Sequence, residues 1–496
     1  MTKEVNASIA RGAAWMLALR FCVKGISLIS IMILARLLSP EDFGLMALAT
    51  SIFMMVELIR SFGFSTALIQ KQDAGRAHYD TAWTMQIIFA LLSSSLLTVV
   101  SGFAADFYED NRLISVLQMI AVMILLSGFN NVGVVQFKKQ MTFDRVFKYQ
   151  LLTKLSGFFV TIPLAWYLQS YWALLMGMLT GKVVALILSY VMQDYRPKIT
   201  LVEWRSLLGF SSWLLLNNVL FFINNHSQNF ILGKLSGANV LGLFSISNEV
   251  ATTATNEIVA PINAAAYPGY AKLAHNKEQL KQSYLKVLSS IILIAVPSAI
   301  GIAAIAPIFV PVLLGDKWLE AIPVIQLIAL GSIMSSINTN SGYVYLALAK
   351  QKVTTALMCV RLVIFLPLLY YFAVKDGAVG AAFAMLVTTC ISFPISQFVL
   401  TKQIGLSWSN LFEILYRPLI ASCIMGYIVK QYLSLFMAYD QFGVFTLLGA
   451  IFLGGATFVT SIYLVWVMSG RKIGAETWCI GIITKKIAVI MKRNKK

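Results

Sequence analysis

Charged side chains are scarce in this sequence of 496 residues. Asp, Glu, Lys and Arg together make up 12% of it, whereas apolar residues make up 58%. Soluble domains usually carry about 25% charged residues, so a chain of water-soluble domains is excluded. Apolar windows of about 20 residues, each long enough to span hydrocarbon, recur along the whole sequence. The composition predicts an all-α polytopic membrane protein.

Cysteine and histidine are also rare, at five and three residues. The cysteines fall mostly within apolar segments and show no paired spacing; they are Cys22, Cys359, Cys390, Cys423 and Cys479. This pattern argues against both a disulfide framework and a zinc site. The sequence also lacks a P-loop, an HExxH motif and a clear Asp-x-Asp pair. We therefore predict no cofactor, no metal and no built-in ATPase.

Fourteen apolar segments are predicted to cross the membrane as helices. They are approximately 13–35, 43–62, 82–103, 113–136, 149–168, 171–192, 211–233, 239–268, 285–314, 321–348, 353–373, 378–399, 415–436 and 443–468. The first segment is too long for a signal peptide, contains charge and lacks a small-residue cleavage site.

The loops between these segments differ in basic charge. With the N-terminus in the cytoplasm, the inner loops and both termini contain 28 Lys and Arg, and the outer loops contain at most six. The positive-inside rule predicts that both termini are cytoplasmic. Orientation accounts for most of the net charge of +18, so no nucleic-acid partner is predicted. The basic tail either lies on the inner leaflet as an amphipathic helix or is solvated.

Two segments of the sequence match at an offset of 198 residues. "ILARLLSPEDFGLMALAT" (33–50) aligns without a gap with "ILGKLSGANVLGLFSISN" (231–248), and Gly44 aligns with Gly242. The offset carries helices 1–2 onto helices 7–8, an even number of spans later, so the repeat is parallel. Transporters built from two such halves place the substrate route near the bilayer midplane.

The repeat predicts two pseudo-symmetric lobes of six helices followed by two further helices. The predicted N-terminal lobe, C-terminal lobe, final helix pair and basic cytoplasmic tail are residues 1–198, 199–402, 403–470 and 471–496.

The first predicted span contains two cations four residues apart, Arg20 and Lys24. Residues at this spacing share a helix face. A cation near the bilayer centre costs about 2.5–3.5 kcal/mol on insertion scales, and Lys24 lies roughly 15 Å into the span. Either these cations line a cavity and bind substrate, or they reach the headgroups or pair with an acid such as Glu57 of helix 2.

The seventh span, the repeat partner of the first, contains a polar stripe instead. Asn217 shares a face with Asn224, and Asn218 shares one with Asn225 and Asn229. His226 and Gln228 widen the stripe. A hydrated cavity that contacts substrate through Asn218 and Asn225 is the first interpretation, and hydrogen bonding between helices is the alternative.

Other ionisable residues lie inside predicted spans. Glu249 and Glu257 of helix 8, with Glu57, are candidates for an ion-coupling site or are counter-ions for the cations of helix 1. Lys182 of helix 6 and Arg361 of helix 11 are further interior cations. Because interior cations outnumber interior acids, we expect an anionic substrate, and guanidinium and ammonium groups suit phosphate.

Four segments of this chain resemble the polysaccharide-transporter branch of the multidrug/oligosaccharidyl-lipid/polysaccharide (MOP) flippase superfamily. They are "ILARLLSPEDFGLMALA", "FGFSTALIQK" (62–71), "GKLSGANVLGLFSISNEVA" and "AAAYPGYAKL". The resemblance spans essentially the whole chain, and it is greatest to colanic-acid exporters of the Wzx type.

The resemblance implies a flippase of the bacterial inner membrane that works by alternating access and is not an enzyme. Its cargo would be an undecaprenyl-diphosphate-linked oligosaccharide for exopolysaccharide, capsule or O-antigen synthesis. Membrane lipids, a polymerase and a co-polymerase are its expected partners. First-helix cations in this branch are candidate diphosphate contacts, which matches Arg20 and Lys24.

Three alternatives remain at this stage. A peptidoglycan-precursor flippase and a multidrug antiporter would share the fold, although the interior excess of cations disfavours cationic drugs. A membrane-embedded glycosyltransferase or polymerase would need catalytic groups in a sizeable outer loop, and "ADFYED" (105–110) is the one short candidate.

Overall fold

The computed structural model describes residues 2–60, 68–69, 71, 73–207, 212–437 and 443–470. Throughout these ranges every regular element is helical, which confirms the all-α prediction. The α-helices in chain order are α1 (Thr2–Leu37), α2 (Pro40–Arg60), α3 (Arg76–Tyr108), α4 (Arg112–Gly128), α5 (Val135–Lys139), α6 (Phe143–Leu168), α7 (Trp172–Val191), α8 (Trp204–Leu207), α9 (Ser212–Leu273), α10 (Lys277–Phe309), α11 (Ala321–Ala347), α12 (Gln351–Ile404), α13 (Trp408–Met437) and α14 (Val444–Met468). Short 3₁₀ or π turns occupy Val132–Val134, Val310–Leu314 and Asp316–Trp318. The predicted tail 471–496 lies outside the described residues.

Ten helices in the described ranges are long and apolar enough to cross a membrane, or eleven if the bent pair formed by α4 and the turn into α5 is one span. Two of the ten are far longer than one crossing requires, because α9 has 62 residues and α12 has 54. The chain is therefore a multi-pass membrane protein.

Both long helices contain a break where a loop is predicted. In α9 the break is at Gly237, with φ 78° and ψ 178°, a conformation that is essentially restricted to glycine. In α12 it is at Asp376 and Gly377. Each of these helices thus contains two of the fourteen predicted spans, joined by a tight break. Gly237 is 198 residues after Ser39, which lies between α1 and α2, so the offset of the sequence repeat recurs in the backbone.

Contacts between Cα atoms divide the chain into two compact units, Met1–Gly242 and Leu243–Lys496. The division falls within α9, a few residues after its break. The first unit therefore includes the seventh predicted span. The lobe boundary at 198 remains a prediction about the repeat.

In the first unit, α1 packs on α6. Leu19 is buried in a cluster with Phe137 and Val146, and the rings of Trp15 and Phe147 lie 5.0 Å apart. These contacts fix which side of α1 is occupied by α6.

The start of α2 crosses the part of α9 that follows its break at very short range. A Cβ added to Gly44 would lie 2.6 Å from the carbonyl carbon of Ala238 and 2.8 Å from the amide nitrogen of Gly242. A Cβ added to Gly242 would lie 2.7 Å from the carbonyl carbon of Pro40 and 2.9 Å from the amide nitrogen of Gly44. The contact is reciprocal, and both glycines allow backbones to approach as small residues do in membrane helices.

After α7 the chain runs extended, and hydrogen bonds hold this segment against the start of α3. The backbone N–H of Lys198 donates to Asp80 at 2.8 Å, and that of Thr200 donates to the Thr84 hydroxyl at 3.0 Å. The Tyr195 hydroxyl also hydrogen-bonds to Asp80. Side chains of α3 thus satisfy backbone donors that an extended segment without a sheet would otherwise leave unpaired.

The second unit contains a buried polar network inside an apolar cluster. Asn340 donates to the side-chain oxygen of Asn263 at 2.6 Å and contacts the Tyr270 hydroxyl. The Tyr284 and Ser341 hydroxyls are 3.1 Å apart. All five of these side chains are fully buried, so the network joins α9, α10 and α11 where water has no access.

Candidate functional site

The two candidate cations of the first span lie on one strip of α1. Leu19 and Val23 pack toward α6, and Arg20 and Lys24 come one residue later in each turn. Both cations are half-buried. At 1.5 Å per residue, Lys24 lies about 20 Å and Arg20 about 26 Å from the end of α1 at Leu37. The i,i+4 prediction of a shared face is therefore consistent with how α1 packs.

The polar stripe of the seventh span is the first part of α9, and its members divide between two faces. Phe222, Asn225, His226 and Asn229 have the i, i+3, i+4, i+7 spacing of one face. Asn217, Asn224 and Gln228 lie on the opposite face; within the described residues, the side-chain oxygens of Asn224 and Gln228 are buried without a hydrogen-bond partner.

One serine of α2 joins the first of these faces. The Ser51 hydroxyl donates to the carbonyl of Ala47 at 2.8 Å. It accepts from the side-chain amide of Asn229 at 2.8 Å, and Nδ1 of His226 lies 3.4 Å away. Since the single hydroxyl proton is used on Ala47, Nδ1 of His226 carries the proton toward Ser51, and Nε2 of the neutral ring is an acceptor.

This cluster lies deep within the spans. Ser51 is about 16 Å along α2 from Pro40, and His226 is about 16 Å along α9 from the break at Gly237. Ser51 is 1% exposed, whereas Asn225 is exposed and Asn218 is half-buried. This face therefore extends from the buried Ser51 to the accessible amides of Asn218 and Asn225. The predicted hydrated cavity would account for exposed amides at such a depth, because lipid offers them no hydrogen-bond partner.

The remaining candidates are distributed over both units. In the first unit Glu57 is half-buried two turns beyond Ser51, and Lys182 is exposed on α7. In the second unit Glu249, Glu257 and Arg361 are half-buried. Among described residues, the Nε atom of Arg361 is buried without a hydrogen-bond partner.

Charged residues also cluster at the turn between α3 and α4. Arg112 bonds to Asp110 at 2.7 Å and to Glu41 at 2.6 Å, and its hydrogen bonds hold the pKa of Asp110 below the ordinary value. Lys234 bonds to Glu109 at 2.9 Å and lowers the pKa of that carboxyl in the same way. Residues 105–108 of the predicted "ADFYED" loop therefore belong to α3, and the two acids that follow, Glu109 and Asp110, are engaged in ion pairs.

Sequence reasoning found the polar residues of α9 but missed Ser51. A serine in an apolar helix has no local signal, because it can always donate to the carbonyl four residues earlier, as Ser51 does. Its second role depends on α9 packing beside it, 175 or more residues later in the chain.

Comparisons with known proteins bear on these observations. A family model described as "Polysaccharide biosynthesis protein" matches residues 33–323, more than half of the chain. The lipopolysaccharide biosynthesis protein WzxC of Escherichia coli (strain K12) is 22% identical over 439 residues, which cover 85% of this chain and 88% of WzxC. The succinoglycan biosynthesis transport protein ExoT of Rhizobium meliloti (strain 1021) is 22% identical over 468 residues, 94% of each chain.

Among solved structures, the lipid II flippase MurJ in an inward closed conformation has a TM-score of 0.71 at 12% identity. The match covers 92% of this chain and 99% of that one. At this identity the likeness concerns the fold, and it confirms the transporter-like arrangement of helices.

Proposed function

The chain belongs to the family of polysaccharide biosynthesis proteins, and from this membership we propose that it is a flippase. Its proposed cargo is an oligosaccharide linked to undecaprenyl diphosphate, moved from the cytoplasmic to the outer leaflet by alternating access. A relative that is named as a transport protein and aligns over 94% of this chain supports transport rather than catalysis.

The observation that carries the proposal is the pair of cations on α1. Arg20 and Lys24 are half-buried on a helix whose only other charged residue within the span Ala14–Leu37 is Arg36 at its end. They are separated by about 6 Å along the helix axis, which is the scale of two linked phosphate groups. An arginine fork and a lysine point charge both bind phosphate oxygens. Their proposed role is to hold the diphosphate while the polyprenyl chain stays in lipid.

The other predicted contacts keep proposed roles within their own units. Asn218 and Asn225 of α9 and Lys182 of α7 are proposed cargo contacts in the first unit. Arg361 of α12 is the corresponding proposal for the second unit. Its buried Nε atom supports a polar or anionic partner, because leaving a charged donor unpaired is costly.

Ion coupling is proposed for the acids of the spans. Glu57, Glu249 and Glu257 are half-buried carboxyl groups on α2 and α9, where ionisable residues are expensive and usually functional. Export that continues unchanged after the proton and sodium gradients are collapsed would exclude this role.

We further propose the inner membrane, with both termini in the cytoplasm, as the location. The excess of basic residues in alternate loops supports this orientation. A polymerase and a co-polymerase are the proposed protein partners, because a flipped repeat unit must be consumed on the outer side.

The function is tested by deleting the gene and identifying the lipid-linked saccharide that accumulates on the cytoplasmic side. Complementation with Lys24→Gln plus Arg20→Gln is expected to restore less than about a tenth of export, since each charge-assisted hydrogen bond contributes about 1.5–3 kcal/mol. The matched control is Lys430→Gln, which removes an exposed cation of α13 and should restore full export. Membrane levels of each variant are measured by immunoblot.

Full export by the double variant would exclude the role of the cations. Accumulation of the peptidoglycan precursor instead of a polysaccharide unit would indicate a flippase of the alternative class. Sensitivity to cationic drugs without any accumulated saccharide would indicate a multidrug antiporter.

A further inference from the structure

Three polar side chains on one face of α9 each use one donor within the protein. The Asn225 amide donates to the carbonyl of Phe221 at 2.7 Å, and the Asn229 amide donates to Ser51 at 2.8 Å. Nδ1–H of His226 points to the same Ser51 hydroxyl at 3.4 Å. What these side chains retain toward a ligand is two amide oxygens, the second N–H of each amide and one ring nitrogen that accepts.

The acceptors surround an aromatic surface. The ring of Phe222 stacks on that of His226, with centroids 5.0 Å apart and planes 27° apart. Phe222 also contacts the ring of Phe230 at 5.9 Å. The face therefore offers an apolar ring flanked by uncharged acceptors.

This combination selects the chemistry of a ligand. A phosphate group is anionic and is bound most strongly by charged donors such as those of Arg20 and Lys24, whereas the amides of this face carry no charge. A sugar ring offers several hydroxyl donors around C–H groups that pack on an aromatic face. The uncharged face of α9 formed by Phe222, Asn225, His226 and Asn229 and the cations of α1 thus suit different parts of one lipid-linked saccharide.

We propose that Asn225, His226 and Asn229, positioned by Ser51 and backed by Phe222, form a subsite that binds the hydroxyl groups of the saccharide. This inference rests on the proposed function. The subsite discriminates among saccharides, and the cations of α1 hold the diphosphate that all such cargoes share. Ser51 acts as a positioning residue, because its hydroxyl fixes the His226 tautomer and the orientation of the Asn229 amide.

Binding of two probes to the purified full-length protein separates these roles. One probe is the lipid-linked saccharide pool extracted from the deletion strain, and the other is undecaprenyl diphosphate without sugar. His226→Phe keeps the ring stack but removes the acceptor nitrogen, and Asn225→Leu removes an exposed amide. Each is expected to weaken binding of the saccharide pool roughly threefold to tenfold, as for one neutral hydrogen bond, and to leave the sugar-free probe unaffected.

Two further variants complete the experiment. Lys24→Gln is expected to weaken both probes, because both contain the diphosphate. Thr98→Val is the matched control, since Thr98 is an exposed residue of α3 whose hydroxyl donates to its own helix at Ser94. It should bind both probes as the wild type does. Ser51→Ala should reproduce the selective loss seen with His226→Phe.

The outcomes distinguish the subsite from the function itself. If the wild-type protein binds neither probe, the proposed function fails. If it binds the saccharide pool more tightly than the sugar-free probe but His226→Phe and Asn225→Leu bind the pool as well as wild type, the function stands and the subsite is refuted. An equal loss for both probes in these variants also refutes it, since a structural defect does not select for sugar.

Discussion

Adding one methyl group at Gly44 or Gly242 is expected to force α2 and the second segment of α9 apart. A Cβ at either position would lie 2.8 or 2.9 Å from the amide nitrogen of the other glycine, whereas ordinary contact begins at 3.4 Å. The obstacle is helix backbone, which cannot rotate away as a side chain can. The carbonyl oxygens of Ala238 and Pro40 are closer still, so the helices must separate by more than about 1 Å, and overpacking of this kind costs about 1–3 kcal/mol.

The reciprocity of the contact makes the double variant informative. Gly44→Ala and Gly242→Ala are expected to destabilise by similar amounts, about 2–3 kcal/mol each. One separation of the helices makes room for both methyl groups, so the double variant should cost about as much as either single one. The interaction energy between the two substitutions is then about 2 kcal/mol in the favourable direction, within the range for residues in contact.

Equilibrium unfolding of the purified protein in mixed micelles measures these free energies. The control is Gly102→Ala on α3, where an added Cβ would meet nothing within 4 Å; it should stay within about 0.5 kcal/mol of wild type. Fully additive costs in the double variant, or single variants as stable as Gly102→Ala, would refute the reciprocal contact.

Three further results are expected. Burial and the hydrogen bond to Asp80 raise the pKa of Tyr195 above its ordinary value. The neutral phenol therefore stabilises the fold below about pH 10, and this stabilisation is lost as pH rises above it. The melting temperature should fall less steeply between pH 9 and pH 11 for Tyr195→Phe than for the wild type, and an unchanged slope would contradict this. Arg112→Gln should lower the free energy of unfolding by less than about 1 kcal/mol, and 1 M salt should abolish the difference, because its ion pairs are partly exposed. Asn340→Ala should cost about 3 kcal/mol by leaving the side-chain oxygen of the fully buried Asn263 without its donor. A cost near zero in denaturant titrations would show that the network is not what holds α11 to α9.

The positions of the helices could be predicted because burying charge in lipid is costly, so a membrane-spanning segment is a long apolar run in the sequence. The predicted gap 233–239 contains the break at Gly237, and the predicted gap 373–378 contains the break at Gly377. Helix ends were less predictable. The first span was predicted from residue 13, but α1 begins at Thr2, since a helix can continue beyond the hydrocarbon without an apolar signal.

The candidate site was predictable only as a set of residue types. The asparagines of α9 were identified because amides are rare in a span, and Lys24 because a cation is costly there. Which polar groups meet depends on packing between distant segments. The hydrogen bonds of Ser51 to α9 and of Tyr195 to Asp80 join residues more than 100 positions apart, and no local pattern encodes such a pair.

The hydrogen bonds between the extended segment and α3 limit where this protein can be split into two fragments. Residues 193–203 resemble a flexible interdomain linker in their charge and proline content, and the predicted lobe boundary would place a cut after residue 198. However, the backbone N–H groups of Lys198 and Thr200 donate to side chains of α3. The backbone N–H of Glu203 donates to the Thr81 hydroxyl. A cut there would divide the anchored segment between the two fragments and leave side chains of α3 without their hydrogen-bond partners. A split version for co-expression should therefore assign the whole segment through Glu203 to the N-terminal fragment.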